Sequence, residues 1–306
     1  TGANPAISLM VNAYRYDNIN VTIKNGGKVI SAGVDGIAVK STGNVRIQDA
    51  AEVNADGTAV MGRSIIIEGG TIGANKTAVY AEKGLLVSDG VISANDFAIF
   101  ASSRSDTVTI QGGRVEATGA DGYAIYAAGS VQVSGGTISA AGDNGSAITS
   151  AGSGTVVVEG GTVSAKKTAI SLSMGGALVR GGVVRGGNNV INAIGGGSVT
   201  VEGGTVSANE KDGTAIKAMG SRSYVTIENG TVEAIGIGGN AISAQDGGGI
   251  LVSGGTVKAG NIAIDFSGRN RTVTISGGTI RGDNTAIHIL GDRDSTVAVS
   301  GGTING

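Results

Sequence analysis

One unit recurs along almost the entire sequence: Val-x-Ile-x-Gly-Gly-Thr-Val-x-Ala, a variable turn, Ala-Ile-x-Ala, and a second variable turn. Self-similarity at a fixed period means that each copy stacks on its neighbours, so the fold is a solenoid rather than a closed globular topology. The second apolar residue of the first segment marks thirteen copies, at Ile23, Ile47, Ile67, Val87, Ile110, Val133, Val158, Val179, Val201, Ile227, Val252, Ile275 and Val299. Their mean spacing is about 23 residues, within the range of known solenoid repeats.

Each copy contains three short apolar segments that alternate with polar residues, such as Val108-Thr109-Ile110, Val115-Glu116-Ala117 and Ala124-Ile125-Tyr126. Alternation at period two predicts strands. A helical repeat needs apolar spacing of three and four over ten or more residues, and glycine interrupts every such window. The prediction is an all-β, right-handed, single-stranded parallel β-helix (β-solenoid) with three short strands per coil and about 13 coils. It treats residues 1–306 as a single domain. At roughly 4.8 Å per coil the rod would be about 60 Å long. The third strands would stack Val39, Val60, Val79, Ile99, Ile125, Ile148, Ile170, Ile191, Ile216, Ile242, Ile264 and Ile287 in one ladder.

Composition fits this reading. Aromatic residues make up 3% of the chain and tryptophan is absent, while glycine occurs 57 times and proline once. A narrow interior filled by Val, Ile and Ala needs no large aromatic, and each buried Val or Ile contributes roughly 1.5–3 kcal/mol. The glycine pairs, such as Gly69-Gly70, Gly135-Gly136, Gly203-Gly204 and Gly277-Gly278, stand where the first strand must bend into the second, and a positive φ there suits glycine. A net charge of −2 gives no basic field for nucleic acid or anionic lipid. With no cysteine there are no disulfides or thiolate metal sites. No apolar run is long enough to span a membrane, and the opening TGANPAISLM lacks signal-peptide character, so the chain reads as mature or excised.

Units such as VTIQGGRVEA (108–117), VQVSGGTISA (131–140) and TVTISGGTIRG (272–282) resemble the pectate-lyase-like right-handed β-helices. More closely, they resemble the repeats of bacterial surface proteins of carbohydrate-binding or adhesin-like type. The resemblance implies an extracellular protein, secreted or attached to the cell surface. Some clostridial domains of this kind carry Asp-Gly-Ile in the third strand and bind calcium and acidic sugars. Here only Asp35-Gly36-Ile37 comes close, and the later coils lack the full Asp-Gly-Ile step, reading Thr-Ala-Ile, as at Thr168-Ala169-Ile170, or a variant of it, so no metal and no cofactor is assigned.

Enzymes on this fold place acids beside an Arg or Lys on the outer face of the first sheet. The outward residues there are Lys24, Gln48, Glu68, Ser88, Gln111, Ser134, Glu159, Arg180, Glu202, Glu228, Ser253, Ser276 and Ser300, and only Glu202 and Glu228 form an adjacent carboxylate pair. Two like charges one coil apart could share a proton or hold a cation. The only histidine, His288, is expected to face solvent as a bystander, and Gly291-Asp292-Arg293-Asp294 reads as a charged turn. No catalytic residue is assigned, so the chain is read as a non-enzyme. The alternative is a polysaccharide lyase or glycoside hydrolase.

Two outward rows remain. A threonine follows most glycine pairs (Thr71, Thr137, Thr162, Thr205, Thr231, Thr256, Thr279, Thr303), interrupted by Lys28 and Arg114, and is expected mainly to suit a strand beside a tight bend. On the third strand the outward residues Met61, Tyr80, Phe100 and Tyr126 are flanked by Phe97 and Tyr123. These six are the candidate ligand-binding residues, since ring faces on a strand suit stacking against sugars. Cross-strand stacking that steadies the sheet is the structural alternative. The expected function is an extracellular structural or adhesive surface protein or fibre subunit, with polysaccharide or host cell-surface glycan as partner. Residues 12–20, with Tyr14 and Tyr16, break the repeat. Both ends read as uncapped, so the chain is either an excerpt of a longer solenoid or a subunit that associates head to tail into a filament.

Overall fold

The computed structural model describes residues 7–9, 20–220, 222–246, 248–268, 272–290 and 295–306, with side chains described from residue 20 onward. The irregular residues 12–19 and the charged turn 291–294 lie outside the described residues. All regular structure is β-strand, arranged as a parallel β-solenoid with three strands per coil and about twelve turns. The thirteenth motif copy comprises a first strand, Thr296–Val299, and a second, Thr303–Asn305. No helix among the described residues is long and apolar enough to cross a membrane. The chain divides into two compact units, Thr1–Thr149 and Ser150–Gly306.

In the first unit the predicted ladder forms in register: Val39 pairs with Val60, Val60 with Val79, Val79 with Ile99, and Ile99 with Ile125. In the second unit Ile170, Ile191, Ile216, Ile242, Ile264 and Ile287 pair in the same way. Every one of these side chains from Val39 to Ile264 is fully buried. Identical positions stack because each backbone N–H and C=O bonds to the coil above or below, which leaves each inward residue over its own counterpart.

The glycine pairs act through two different constraints. The second member takes a left-handed backbone, as at Gly113 (φ +75°) and Gly136 (φ +79°). The first is excluded from carrying a side chain by the coil beneath: a Cβ on Gly135 would lie 2.3 Å from the Gln111 carbonyl oxygen. In two coils the bend is crossed inside one continuous strand, Ser64–Ala74 and Leu85–Ala94, with register irregularities between Val87 and Val91.

Two expectations change. Strict alternation fails at the start of the third strand, where Ala98 and Ile99, and likewise Ala124 and Ile125, are both buried. The chain turns a corner there, and the small alanine occupies its inside. As a result the residues on either side of the buried pair, Phe97 and Phe100, share the outer surface. The interior also accepts one aromatic: Phe266 is 0% exposed. Its register partners are Ala244 and Ile289, so the small alanine on one side makes room for the ring.

Candidate functional site

All six candidate residues belong to the first unit and lie on the outer surface of its third strands, half-buried. Met61 is in register with Tyr80, Tyr80 with Phe100, Phe100 with Tyr126, and Phe97 with Tyr123. Parallel register puts ring over ring, and two columns result. Tyr80 stacks on Phe100 with centroids 5.2 Å apart and planes 11° from parallel, and Phe100 stacks on Tyr126 at 5.2 Å and 8°. Phe97 stacks on Tyr123 at 5.4 Å and 10°. The columns meet edge to face through Phe97 with Phe100 (5.3 Å) and Tyr126 (5.8 Å), and through Tyr123 with Tyr126 (5.7 Å).

The five rings therefore form one cluster, but not as an array of open faces. Inside each column the faces cover one another, leaving ring edges and the hydroxyls of Tyr80, Tyr123 and Tyr126 as the contact chemistry. Offset-parallel and edge-to-face contacts are the favoured aromatic geometries, worth about 0.5–1.5 kcal/mol per pair beyond burial. The cluster both stiffens the sheet and presents an apolar strip. In the second unit the equivalent outward positions carry Ser171, Asn192, Lys217, Ser243, Asp265 and His288, so there the surface is polar.

The charged positions on the first sheet are tied to one another. Arg180 lies between two carboxylates, its Nε donating to Glu202 at 2.9 Å and its Nη1 to Glu159 at 3.4 Å. Glu202 thus faces a cation on one side, which weakens the idea that it shares a proton with Glu228. Glu68 accepts from Arg46 Nε at 2.8 Å and also from Gln48. The Arg46 hydrogen bonds hold the Glu68 carboxyl below the usual glutamate range, the Gln48 bond adds to this, and desolvation opposes it. The guanidinium of Arg180 is raised, chiefly by its hydrogen bond to Glu202.

His288 is less isolated than expected. Its Nδ1 lies 2.9 Å from Asp265 Oδ1, with 41% of the imidazole exposed, because the third strands bring the two residues into register. Residue spacing could have disclosed this pairing, since the two positions are equivalent in consecutive repeats. Asp35, the acid of the lone Asp-Gly-Ile step, pairs with Lys76 at 2.6 Å. Among the described residues no group of three or more His, Asp or Glu side chains is placed to hold a metal ion.

The threonine row is continuous only from Thr205 onward, where Thr205, Thr231, Thr256, Thr279 and Thr303 follow one another in register, while Val183 separates Thr205 from Thr162. In the first unit Val91 and Arg114 stand between Thr71 and Thr137.

The sequence reading missed an open groove of about 370 Å³ in the first unit, where the second strands end and turn toward the third. Its signal was a polar residue directly after the second strand in several consecutive copies: Asp56, Asn75, Asn95 and Thr118. No protein-family model, curated protein or solved structure matches this chain.

Proposed function

We propose that this chain is a non-catalytic surface solenoid that binds polysaccharide through the ring-bearing face of its first unit, in an extracellular setting. The two-column cluster of five half-buried rings carries the reading. A contiguous apolar strip bordered by hydroxyls is an uncommon feature of a surface that has no partner. Sugars offer apolar C–H faces and abundant hydroxyls, which ring edges and phenols complement. Contact would run along the edges of the columns, since the faces are already occupied. The ion pair that holds the Glu68 carboxyl below its usual range favours binding over bond cleavage at that position, because a carboxylate held by a cation is a poor proton donor. The extracellular placement rests on the resemblance of the repeats to those of bacterial surface proteins.

Three of the six tyrosines are on this face and tryptophan is absent, so the part of the tyrosine emission that Tyr80, Tyr123 and Tyr126 contribute reports on it. Titration with soluble polysaccharides is expected to change it. Replacing Tyr80, Tyr123 and Tyr126 together with phenylalanine keeps the stacks and removes three hydroxyls. Affinity should fall about tenfold or more, which corresponds to 1.4 kcal/mol, with the unfolding midpoint little changed. Serine at Tyr80, Phe100 and Tyr126 should abolish binding but also lower stability by about 2.5–7.5 kcal/mol, because five of the six ring pairs are lost and only Phe97 on Tyr123 remains. Undiminished binding by a folded serine variant, or release of reducing or unsaturated sugar during the titration, rejects the proposal.

A further inference from the structure

We infer that the groove in the first unit is a second contact site, one that takes an uncharged, extended glycan chain. The inference rests on the polysaccharide reading above and narrows it to neutral chains. Asp56, Asn75, Asn95 and Thr118 each follow the last residue of a second strand, in four consecutive coils. The preceding alanines are in register, Ala55 with Ala74, Ala74 with Ala94, and Ala94 with Ala117. One polar head is therefore offered roughly every 4.8 Å along the groove. Such a row suits a repeating chain better than a compact ligand.

The heads are held in place by one another. Asp56 Oδ1 accepts from Asn75 Nδ2 at 3.0 Å, and Asp56 Oδ2 accepts from the Gly33 amide at 2.9 Å. Asn95 Oδ1 accepts from the Thr118 hydroxyl at 2.7 Å. These bonds leave Asn75 Oδ1 as an acceptor and Asn95 Nδ2 as a donor with no partner among the described residues. An acceptor and a donor on adjacent coils match the hydroxyls of a polyol, each of which can both donate and accept. The floor is low because Gly73 stands in register with Asn54 and Ser93, where a side chain would otherwise rise.

Charge and backbone select among ligands. No Lys or Arg lines the groove, and its one carboxylate has both oxygens engaged, so nothing there would hold an acidic sugar. A peptide would gain little, since the Asn75 and Thr118 amides already donate to Ala55 and Ala94 of the coil below. A neutral glycan chain remains.

The test uses the whole chain with a soluble neutral β-glucan, a galactomannan and polygalacturonate, by affinity electrophoresis and calorimetry. A Cβ on Gly73 meets only the end of the Asn54 side chain (Oδ1 at 2.5 Å), which can swing away, so Gly73→Gln fills the groove. The exposed pair Asn75→Ala with Asn95→Ala removes the heads without touching the core and keeps the test valid should Gly73→Gln misfold. Both variants are expected to bind a neutral polysaccharide about tenfold more weakly or worse. Gly73→Gln should keep its unfolding midpoint. The double alanine variant should remain folded in the assay with a somewhat lower midpoint, since it loses the Asp56–Asn75 and Asn95–Thr118 hydrogen bonds. Wild-type affinity in both variants, alongside weakened binding by the tyrosine-to-phenylalanine variant, overturns the groove and leaves the ring face standing. Preference for polygalacturonate overturns the neutral assignment alone. Failure of the unaltered chain to bind any of the three overturns both readings.

Discussion

Glu68 shows how a single outward position gains a role from the coil below it. Arg46 and Gln48 both donate to its carboxylate, so the folded protein favours the ionised form more than the unfolded chain does. A carboxyl depressed in this way contributes stability that is present above the ordinary glutamate range and is lost as pH falls through its lower folded value. The melting temperature of the native chain should therefore exceed that of Glu68→Gln at neutral pH, and the gap should close as the solution is acidified below that range. A gap independent of pH would show that the pairing contributes nothing through ionisation. Asn229 makes a related point: it occupies the first position of a glycine pair whose second member, Gly230, keeps its left-handed φ of +81°. The left-handed requirement is thus kept in a copy where the steric one is relaxed.

Strands and turns in this chain are stabilised chiefly by what stands above and below them. In the second unit Asn240, Asn261 and Asn284 form a side-chain ladder at the start of the third strand. Asn261 Nδ2 donates to Asn240 Oδ1 at 3.2 Å, and Asn284 Nδ2 donates to Asn261 Oδ1 at 3.1 Å. Removing the middle rung with Asn261→Ala breaks both bonds. At 0.5–1.5 kcal/mol for each, the loss should be about 1–3 kcal/mol in urea unfolding. A value near zero would mean that water replaces the ladder without cost. The aromatic columns obey the same logic with rings in place of amides, and this is why a serine substitution there tests stability and binding together.

A solenoid has largely nearest-neighbour energetics, since the backbone and core of each coil touch those of the next. Mutations at vertical neighbours should therefore couple, and mutations several coils apart should add. Within the first unit, Ile99→Val with Ile125→Val shares a contact, and the pair should depart from additivity by about 0.5 kcal/mol or more. Val60→Ala with Ile125→Val, three coils apart, should add within about 0.5 kcal/mol. A double-mutant cycle in denaturant reads both, and equal coupling in the two pairs would contradict a one-dimensional energy balance. The proposed glycan contacts belong to this scale as well, because ring columns and groove both draw one side chain from each of several coils.

The linear order of residues determined the period, the three strands per coil and the Val and Ile ladder of the third strands. The period follows from the spacing between copies, and the strands from local alternation and from glycine at a fixed offset within each copy. The outward position of Met61, Tyr80, Phe100 and Tyr126 was legible for the same reason, whereas that of Phe97 and Tyr123 comes from the two consecutive buried residues that follow each of them. What only the tertiary structure decided was how those outward side chains meet. Tyr80, Phe100 and Tyr126 turned their faces on each other, Arg180 stood between Glu159 and Glu202, and Phe266 entered the core opposite Ala244. Those meetings depend on parallel register between residues twenty or more positions apart and on the corner that places two consecutive residues inside. Neither is encoded in the spacing within one repeat.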